Sequence, residues 1–129
     1  MKNFLLVLAL VFICAGAHAE WVVYQRHAEA EEFHDTTPLS REQGRIKLWT
    51  LTDYLKPITT LEGNEVWSEK VLTTIDCENK KMGSEQVIRY AGKQAQGAVV
   101  SAMETKLRLA SVRSGSADAI LLEKLCGQN

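Results

Sequence analysis

The sequence lacks the short patterns that mark most enzymes. It has no Gly-x-Ser-x-Gly elbow, no glycine-rich phosphate-binding loop and no His-Glu-x-x-His helix, and it contains only two prolines and three cysteines in 129 residues. These absences predict a protein that is not an enzyme, with no catalytic residue and no cofactor. A binding role is the class of function that remains.

No excess of either charge is present. The chain has 15 lysines and arginines against 16 aspartates and glutamates, for a formal net charge of −1. Domains that bind nucleic acid or anionic membranes carry clustered basic residues on a strongly basic surface. The charge balance therefore predicts that the partner is neither nucleic acid nor an anionic membrane.

The main apolar run stands at the start of the chain and has the pattern of a secretory signal. Lys2 is followed by an apolar stretch over residues 4–15 and by Ala17-His18-Ala19, a small-x-small cleavage pattern. The run is shorter than the roughly 20 residues that span a bilayer. We expect residues 1–19 to be cleaved and residues 20–129 to form one domain with no transmembrane anchor.

Cys14 lies near the end of this apolar run and raises the question of a lipid anchor. A lipoprotein signal needs a small residue before its cysteine, whereas this chain has bulky Phe12 and Ile13. The sequence therefore predicts a protein without a lipid, located in the periplasm or secreted.

Two cysteines, Cys77 and Cys126, remain after cleavage. Exported proteins meet an oxidising compartment, where a pair of cysteines forms a disulfide, and two cysteines allow one pairing. Closing a loop of about fifty residues stabilises a fold by roughly 4 kcal/mol in the chain-entropy model. We therefore predict a Cys77–Cys126 disulfide that contributes much of the stability.

Alternating apolar and β-branched residues predict an antiparallel sheet of about five to six short strands. The stretch from Ser68 to Cys77 is one of them, with Val71, Thr73, Ile75 and Cys77 on one face. Residues 27–32 are acidic and are predicted to form a connection between two strands. Lys56-Pro57 is predicted to end a central strand because proline has no N–H to donate to the ladder of hydrogen bonds. The other strands are predicted at 21–25, 33–35, 45–54, 84–91 and 99–109, the last with a bulge or loop within 102–106.

One helix is predicted at the end, from Ala117 to Cys126. Ser116 is a natural N-cap, and Asp118 in the first turn suits the positive end of the helix dipole. The predicted buried stripe contains Ala117, Leu121 and Leu125, with Ile120 beside them. The resulting fold class is α+β, with the C-terminal helix packed on the antiparallel sheet and held by the disulfide.

Several side chains are candidates for a site. His27 and His34, with Asp35 beside the second, suggest a metal site, but their spacing matches no ligand template, so surface histidines are the preferred interpretation and no metal is predicted. Asp53 and Asp76 are an imaginable carboxylate pair, although Asp76 is better placed to order the turn after its strand.

Two further groups of residues suit recognition. Trp49 and Trp67 are of the type enriched at interfaces, although a tryptophan on a strand is more often core material. Four basic residues suggest a mildly basic edge that could meet an acidic partner: Lys80, Lys81, Arg89 and Lys93. A solvated turn explains them equally well. None of these residues is predicted as a binding hot spot.

The order of landmarks resembles the surface-adhesin protein E-like family of exported bacterial domains. The landmarks are an early tryptophan strand, Phe33-His34-Asp35, the strand from Arg45 to Tyr54, the block from Ser68 to Cys77, Ser114-Gly115-Ser116 and Cys126. The resemblance implies a sheet with a C-terminal helix fixed across it by the disulfide. It also implies adhesion to host matrix or serum proteins and allows a homodimer.

Two functions follow as expectations. The first is an exported, non-enzymatic binding domain that recognises a protein or envelope ligand through its sheet edge and loops. The alternative is a periplasmic inhibitor or stability factor for an envelope enzyme, because a small disulfide-linked β domain presents rigid loops.

Overall fold

The computed structural model describes residues 19–127, which form a single antiparallel sheet with one helix. Residues 1–18 of the predicted signal segment, Cys14 among them, lie outside the described residues. The strands are β1 (Trp21–Arg26), β2 (Ala30–Asp35), β3 (Ser40–Glu42), β4 (Arg45–Thr59), β5 (Glu65–Asp76), β6 (Lys81–Tyr90), β7 (Val99–Glu104) and β8 (Ala110–Ser111), followed by α1 (Ala117–Cys126).

Six strands make the body of the sheet in the order β1-β2-β4-β5-β6-β7, and two short strands are added, β3 on β4 and β8 on β6. The predicted fold class, an α+β domain with a helix on an antiparallel sheet, is confirmed. The predicted central position of β4 is also correct, since it lies between β2 and β5. Within residues 19–127 no helix is long and apolar enough to cross a bilayer.

The helix and the disulfide are where the sequence predicted them. Ser116 caps α1 by accepting a hydrogen bond from the Ala119 amide at 3.2 Å. Cys77 and Cys126 are bonded, with 5.5 Å between their Cα atoms. The buried stripe was partly wrong: Leu121 and Leu125 are buried, but Ile120 is 36% exposed. Leu122 packs against the core instead.

Beneath the helix lies the main hydrophobic core. Its buried members are Ile46, Leu48, Ile75, Met82, Leu121 and Leu125. Ile46 pairs with Ile75 across β4 and β5, and Ile75 pairs with Met82 across β5 and β6. Since directly paired residues project from the same face, these strands supply one apolar row for α1 to cover.

The prediction that Pro57 ends the central strand was wrong. β4 continues to Thr59, and its register with β5 shifts between Asp53 and Ile58. Pro57 lies inside this shift and is not among the paired residues, so its missing N–H removes no ladder hydrogen bond.

Other strand ends also differ from the prediction. Glu31 and Glu32 belong to β2 because each has a partner: Arg26 Nε donates to Glu31 at 2.9 Å, and Thr52 Oγ1 donates to Glu32 at 2.7 Å. β5 and β6 each begin three residues earlier than predicted. The predicted strand over 99–109 ends at Glu104, within the stretch 102–106 where a bulge or loop was expected, and β8 lies beyond it and pairs with β6.

Candidate recognition surface

The face of the sheet opposite α1 is the candidate recognition surface, and we call it the open face. Trp49 pairs with Leu72, and Leu51 pairs with Lys70, so these four side chains project from the same side, out of phase with the core residues. Within residues 19–127 the helix packs on the other side, which we call the covered face. Several side chains on the open face are buried nevertheless, among them Leu51, Leu72 and Thr74.

A tryptophan and a lysine form the middle of the open face. The Lys70 ammonium lies 4.3 Å from the centre of the Trp49 ring, a cation–π contact. Burial lowers the pKa of Lys70, and the nearby Asp35 carboxylate opposes that change. Leu51, beside this pair, is only 1% exposed. The accessible part of this surface is therefore a preformed aromatic platform, the Trp49 ring, with one cation.

One border of the open face is the loop over residues 91–98, which two buried polar side chains hold in place. Asp53, 5% exposed, accepts hydrogen bonds from the Gln94 amide at 2.7 Å and from Gln94 Nε2. Ser68, fully buried and paired with Asp53, donates to the Gly92 carbonyl at 2.6 Å and accepts from the Ala95 amide at 3.0 Å. The loop is fixed to the sheet rather than free above it.

The opposite border is the segment over residues 105–109. It passes close to Gly83, which pairs with Thr74 on the open face. A Cβ at Gly83 would collide with the Arg108 carbonyl oxygen and lie 2.9 Å from Leu107 Cδ1. Glycine is therefore required here by close approach of the backbone. The two borders leave the Trp49 platform between them.

The covered face has a separate feature, a polar cleft of about 320 Å³ beside the start of α1. Tyr24, Glu32, Thr50, Thr52 and Asp118 are among its lining residues. Burial, with the nearby Glu32 and Asp118, raises the pKa of Tyr24. Asp118 stands in the first turn of α1, as predicted, and desolvation together with the charge of Glu32 raises its pKa.

The two histidines have separate environments. His27 Nε2 lies 3.3 Å from a Glu32 oxygen. His34 is 9% exposed, with Nδ1 3.0 Å from the Asp35 carbonyl oxygen and its ring 6.0 Å from that of Tyr24. In the part of the chain that the structure describes, no group of three metal-ligating side chains converges.

The imagined carboxylate pair is not brought together. Asp53 pairs with Ser68, whereas Asp76 pairs with Arg45, eight residues away along β4. Asp76 instead orders the following turn by accepting from the Asn79 amide and from Asn79 Nδ2, both at 3.0 Å. These two hydrogen bonds are the main reason that the pKa of Asp76 is lowered.

The basic residues do not form a single edge. Lys80 and Lys81 lie at the beginning of β6, whereas Arg89 lies near its end and is paired with Glu69 at 2.8 Å. The Lys93 ammonium lies 5.6 Å from the Trp67 ring centre. Trp67 alternates with Ser68 and so belongs to the covered side of the sheet. The two tryptophans therefore occupy opposite faces.

Asp53 and Ser68 were not predicted to order a loop. The available signal in the sequence was the alternation of the strand, which places Asp53 two residues after the apolar Leu51 and on the same face. A buried polar residue at such a position needs a hydrogen-bond partner. Gln94, however, is separated from Asp53 by 41 residues, and the partner follows only from the folded chain.

The chain matches a known protein family. The model of the family described as Surface-adhesin protein E matches residues 21–127, nearly all of the described chain. No curated protein matches the sequence.

Solved structures similar to this chain include three of protein E from Haemophilus influenzae. The structure from a non-typeable strain has a TM-score of 0.67 and 11% identity, covering 88% of this chain and 79% of that chain. Crystal form II has a TM-score of 0.65 and 10% identity, covering 86% and 97%. The selenomethionine form has a TM-score of 0.63 and 9% identity, covering 81% and 91%. At these identities the likeness establishes a shared fold.

Proposed function

We propose, because the chain belongs to the surface-adhesin protein E family, that its open face holds a protein ligand. The family assigns the chain to binding domains of exported adhesins, which is a non-enzymatic role. The ligand we propose is a protein of the host matrix, of serum or of the bacterial envelope.

The observation that carries this proposal is the position of Trp49 and Lys70. They lie at the centre of the open face, between the loop over residues 91–98 and the segment over 105–109. Aromatic residues are enriched in the cores of protein interfaces, and Trp is frequent among the residues that dominate binding energy. A ligand that covers this platform would bury the Trp49 ring and meet one cation.

The chemistry of the platform indicates what the ligand offers. The ammonium of Lys70 is already partly desolvated. A carboxylate brought near it would therefore form a stronger ion pair than it would at a hydrated surface. The Trp49 ring offers apolar area beside that charge. We propose a ligand segment that combines an apolar or aromatic side chain with an acidic one.

Export completes the proposal. Residues 1–19 act as a signal that is removed, so the mature domain begins at residue 20. It then acts in the periplasm, in the medium or at the surface. Nothing in the fold or in the family match favours the alternative function, inhibition or stabilisation of an envelope enzyme.

The test compares two tryptophans that each lie beneath a lysine but on opposite faces. Binding of the exported protein to an immobilised basement-membrane extract is measured by biolayer interferometry for wild type, Trp49→Ala and Trp67→Ala. Loss of an aromatic anchor at an interface costs at least about 2 kcal/mol, so Trp49→Ala should weaken binding by about thirtyfold. Trp67→Ala should bind as the wild type does.

Circular dichroism checks that both variants are folded. Equal loss of binding in the two variants, or loss in Trp67→Ala alone, would place the ligand elsewhere. If the wild type binds neither the extract nor immobilised serum proteins, the proposed host ligand is wrong.

A further inference from the structure

A local excess of positive charge lies where β6 begins, although the charges of the whole chain are nearly balanced. Residues 105–116 contain three basic residues and no acidic one. The fold places this segment beside residues 80–84, which contribute two more cations. We call the resulting group the basic patch, and its members are Lys80, Lys81, Lys106, Arg108 and Arg113.

Backbone hydrogen bonds hold the two parts of the basic patch together. The Thr105 amide donates to the Glu85 carbonyl at 2.7 Å, and the Val112 amide donates to the Lys80 carbonyl at 3.2 Å. The segment over residues 105–112 therefore runs beside β6 for roughly 17 Å, at about 3.3 Å per residue. The basic side chains are gathered along this length, within reach of one extended ligand.

Leu107 determines the direction of two of these cations. Its side chain is half-buried and lines a small cavity with Thr74 of the open face. Gly83 permits this close approach, because any larger residue there would collide with the backbone of the segment. Lys106 and Arg108, on either side of Leu107, are exposed. Both cations therefore extend into solvent from a segment that is anchored between them.

A depression of about 400 Å³ lies beside these two cations. Gly83, Ser84 and Thr105 line it together with Lys106 and Arg108. The Thr105 hydroxyl donates to the Ser84 carbonyl at 3.2 Å, which fixes its position. Lysine and arginine form charge-assisted hydrogen bonds with oxyanions. The depression therefore suits an anionic group such as a sulfate.

The charge of the basic patch is available to a ligand. Within residues 19–127 none of its members takes part in an ion pair. The neighbouring Glu85 is bound to Lys47 at 2.7 Å, and Asp76 is buried and accepts from Asn79. Glu78, in the turn before β6, is exposed. One exposed carboxylate does not balance five cations.

The composition around the basic patch indicates which polyanion it suits. Residues 76–86 and 105–116 contain no aromatic residue that could stack on a base of single-stranded nucleic acid. None of the exposed large apolar side chains of the described chain lies in these two stretches, and peripheral membrane binding uses such side chains. Clusters of lysine and arginine also bind heparin. A soluble sulfated chain is the polyanion that these features favour.

We propose that the basic patch binds a linear sulfated polysaccharide. One sulfate group occupies the depression beside Lys106 and Arg108, and further sulfates along the same chain meet Lys81, Lys80 and Arg113. This site lies apart from the Trp49 platform, and it does not depend on the protein ligand proposed above.

Calorimetric titration of the exported protein with size-selected heparin oligosaccharides tests the proposal. The affinity of the wild type should fall steadily between about 50 and 200 mM salt, because each ion pair releases counterions. The double variant Lys106→Gln/Arg108→Gln should bind about fivefold more weakly, as expected for two lost ion pairs. Lys56→Gln/Lys93→Gln removes the same charge from exposed positions at the other end of the strands and should leave the affinity unchanged.

Three further probes separate this site from simple charge attraction. Fully desulfated heparin should not bind, and single-stranded DNA and phosphatidylglycerol vesicles should bind more weakly than heparin does. Thermal unfolding should give the wild-type Tm for both double variants, since all four substitutions are at exposed positions. No binding of heparin at about 50 mM salt, equal losses in the two double variants, or DNA or vesicle binding as tight as heparin binding would overturn the proposal.

Discussion

The covered face and the open face alternate along the same strands, yet their side chains differ in kind. Ile75 and Leu48 on the covered face are fully buried by α1. Trp49 and Lys70 on the open face remain partly exposed and contact each other. The covered face is thus ordered by a helix and a covalent bond. The open face has buried side chains of its own, such as Leu51, beside the exposed ones. Substitutions that test stability and substitutions that test the proposed recognition can therefore be placed on opposite faces.

The largest expected effect is on the covered face, through the disulfide. Cys126→Ser should lower the free energy of unfolding by roughly 4 kcal/mol, because the unfolded chain regains the freedom of a loop with a sequence separation of 49. Urea unfolding measures the loss, and reduced wild type serves as the control. Similar midpoints for the variant and the oxidised wild type would contradict the assigned role of the bridge.

A smaller effect is expected from the core under the helix. Leu121→Ala should cost about 3 kcal/mol, since Leu121 is fully buried and its removal leaves a cavity. The matched control is Ile120→Ala, one residue away but 36% exposed, which should cost less than about 1 kcal/mol. Equal losses in thermal or urea unfolding would mean that the helix is rotated relative to this description.

The smallest effects are electrostatic and have opposite signs at two aspartates. Hydrogen bonds from Asn79 lower the pKa of Asp76 in the folded state. Its ionised form therefore stabilises the fold above about pH 4, the unfolded value, and that stabilisation is lost as the pH falls through the folded pKa. Asp76→Asn should lower the Tm at pH 7, with a difference that shrinks toward pH 3.

Asp118→Asn is the control of opposite sign. Desolvation and the charge of Glu32 raise the pKa of Asp118, so its ionised form costs stability above that pKa and the cost disappears as the carboxyl is protonated. Asp118→Asn should raise the Tm slightly at pH 7 and leave it unchanged at low pH. A Tm that falls at pH 7 would show that the helix-dipole interaction outweighs desolvation there.

The features that could be predicted from sequence are those with local causes. The bounds of α1 follow from Ser116 and the apolar spacing after it, and the disulfide follows from export and the two remaining cysteines. Both are confirmed. The family resemblance is confirmed as well. In each case the residues that predict the feature are known from the sequence without any knowledge of strand pairing.

The features that were missed depend on long-range pairing. Pro57 was expected to end a strand because proline has no N–H to donate to a ladder. The register shift between Asp53 and Ile58 leaves Pro57 unpaired, and that shift depends on the pairing of β4 with β5. Glu31 and Glu32 were expected in a connection because they belong to a short acidic run, but Arg26 and Thr52 partner them in β2. The attachment of Gln94 to Asp53 has no local pattern at all. The candidate site was therefore less predictable than the fold.

The disulfide also determines how the domain responds to mechanical load. A pulling force applied to the chain beyond Cys126 passes through the bridge to Cys77, at the end of β5, and bypasses β6, β7 and β8. The load then acts along the ladder between β4 and β5, the longest in the sheet. Hydrogen bonds loaded along the strands must yield together, whereas those at an edge can open one by one. The covalent path from α1 to the longest ladder of the sheet therefore leaves β6, β7 and β8 outside it.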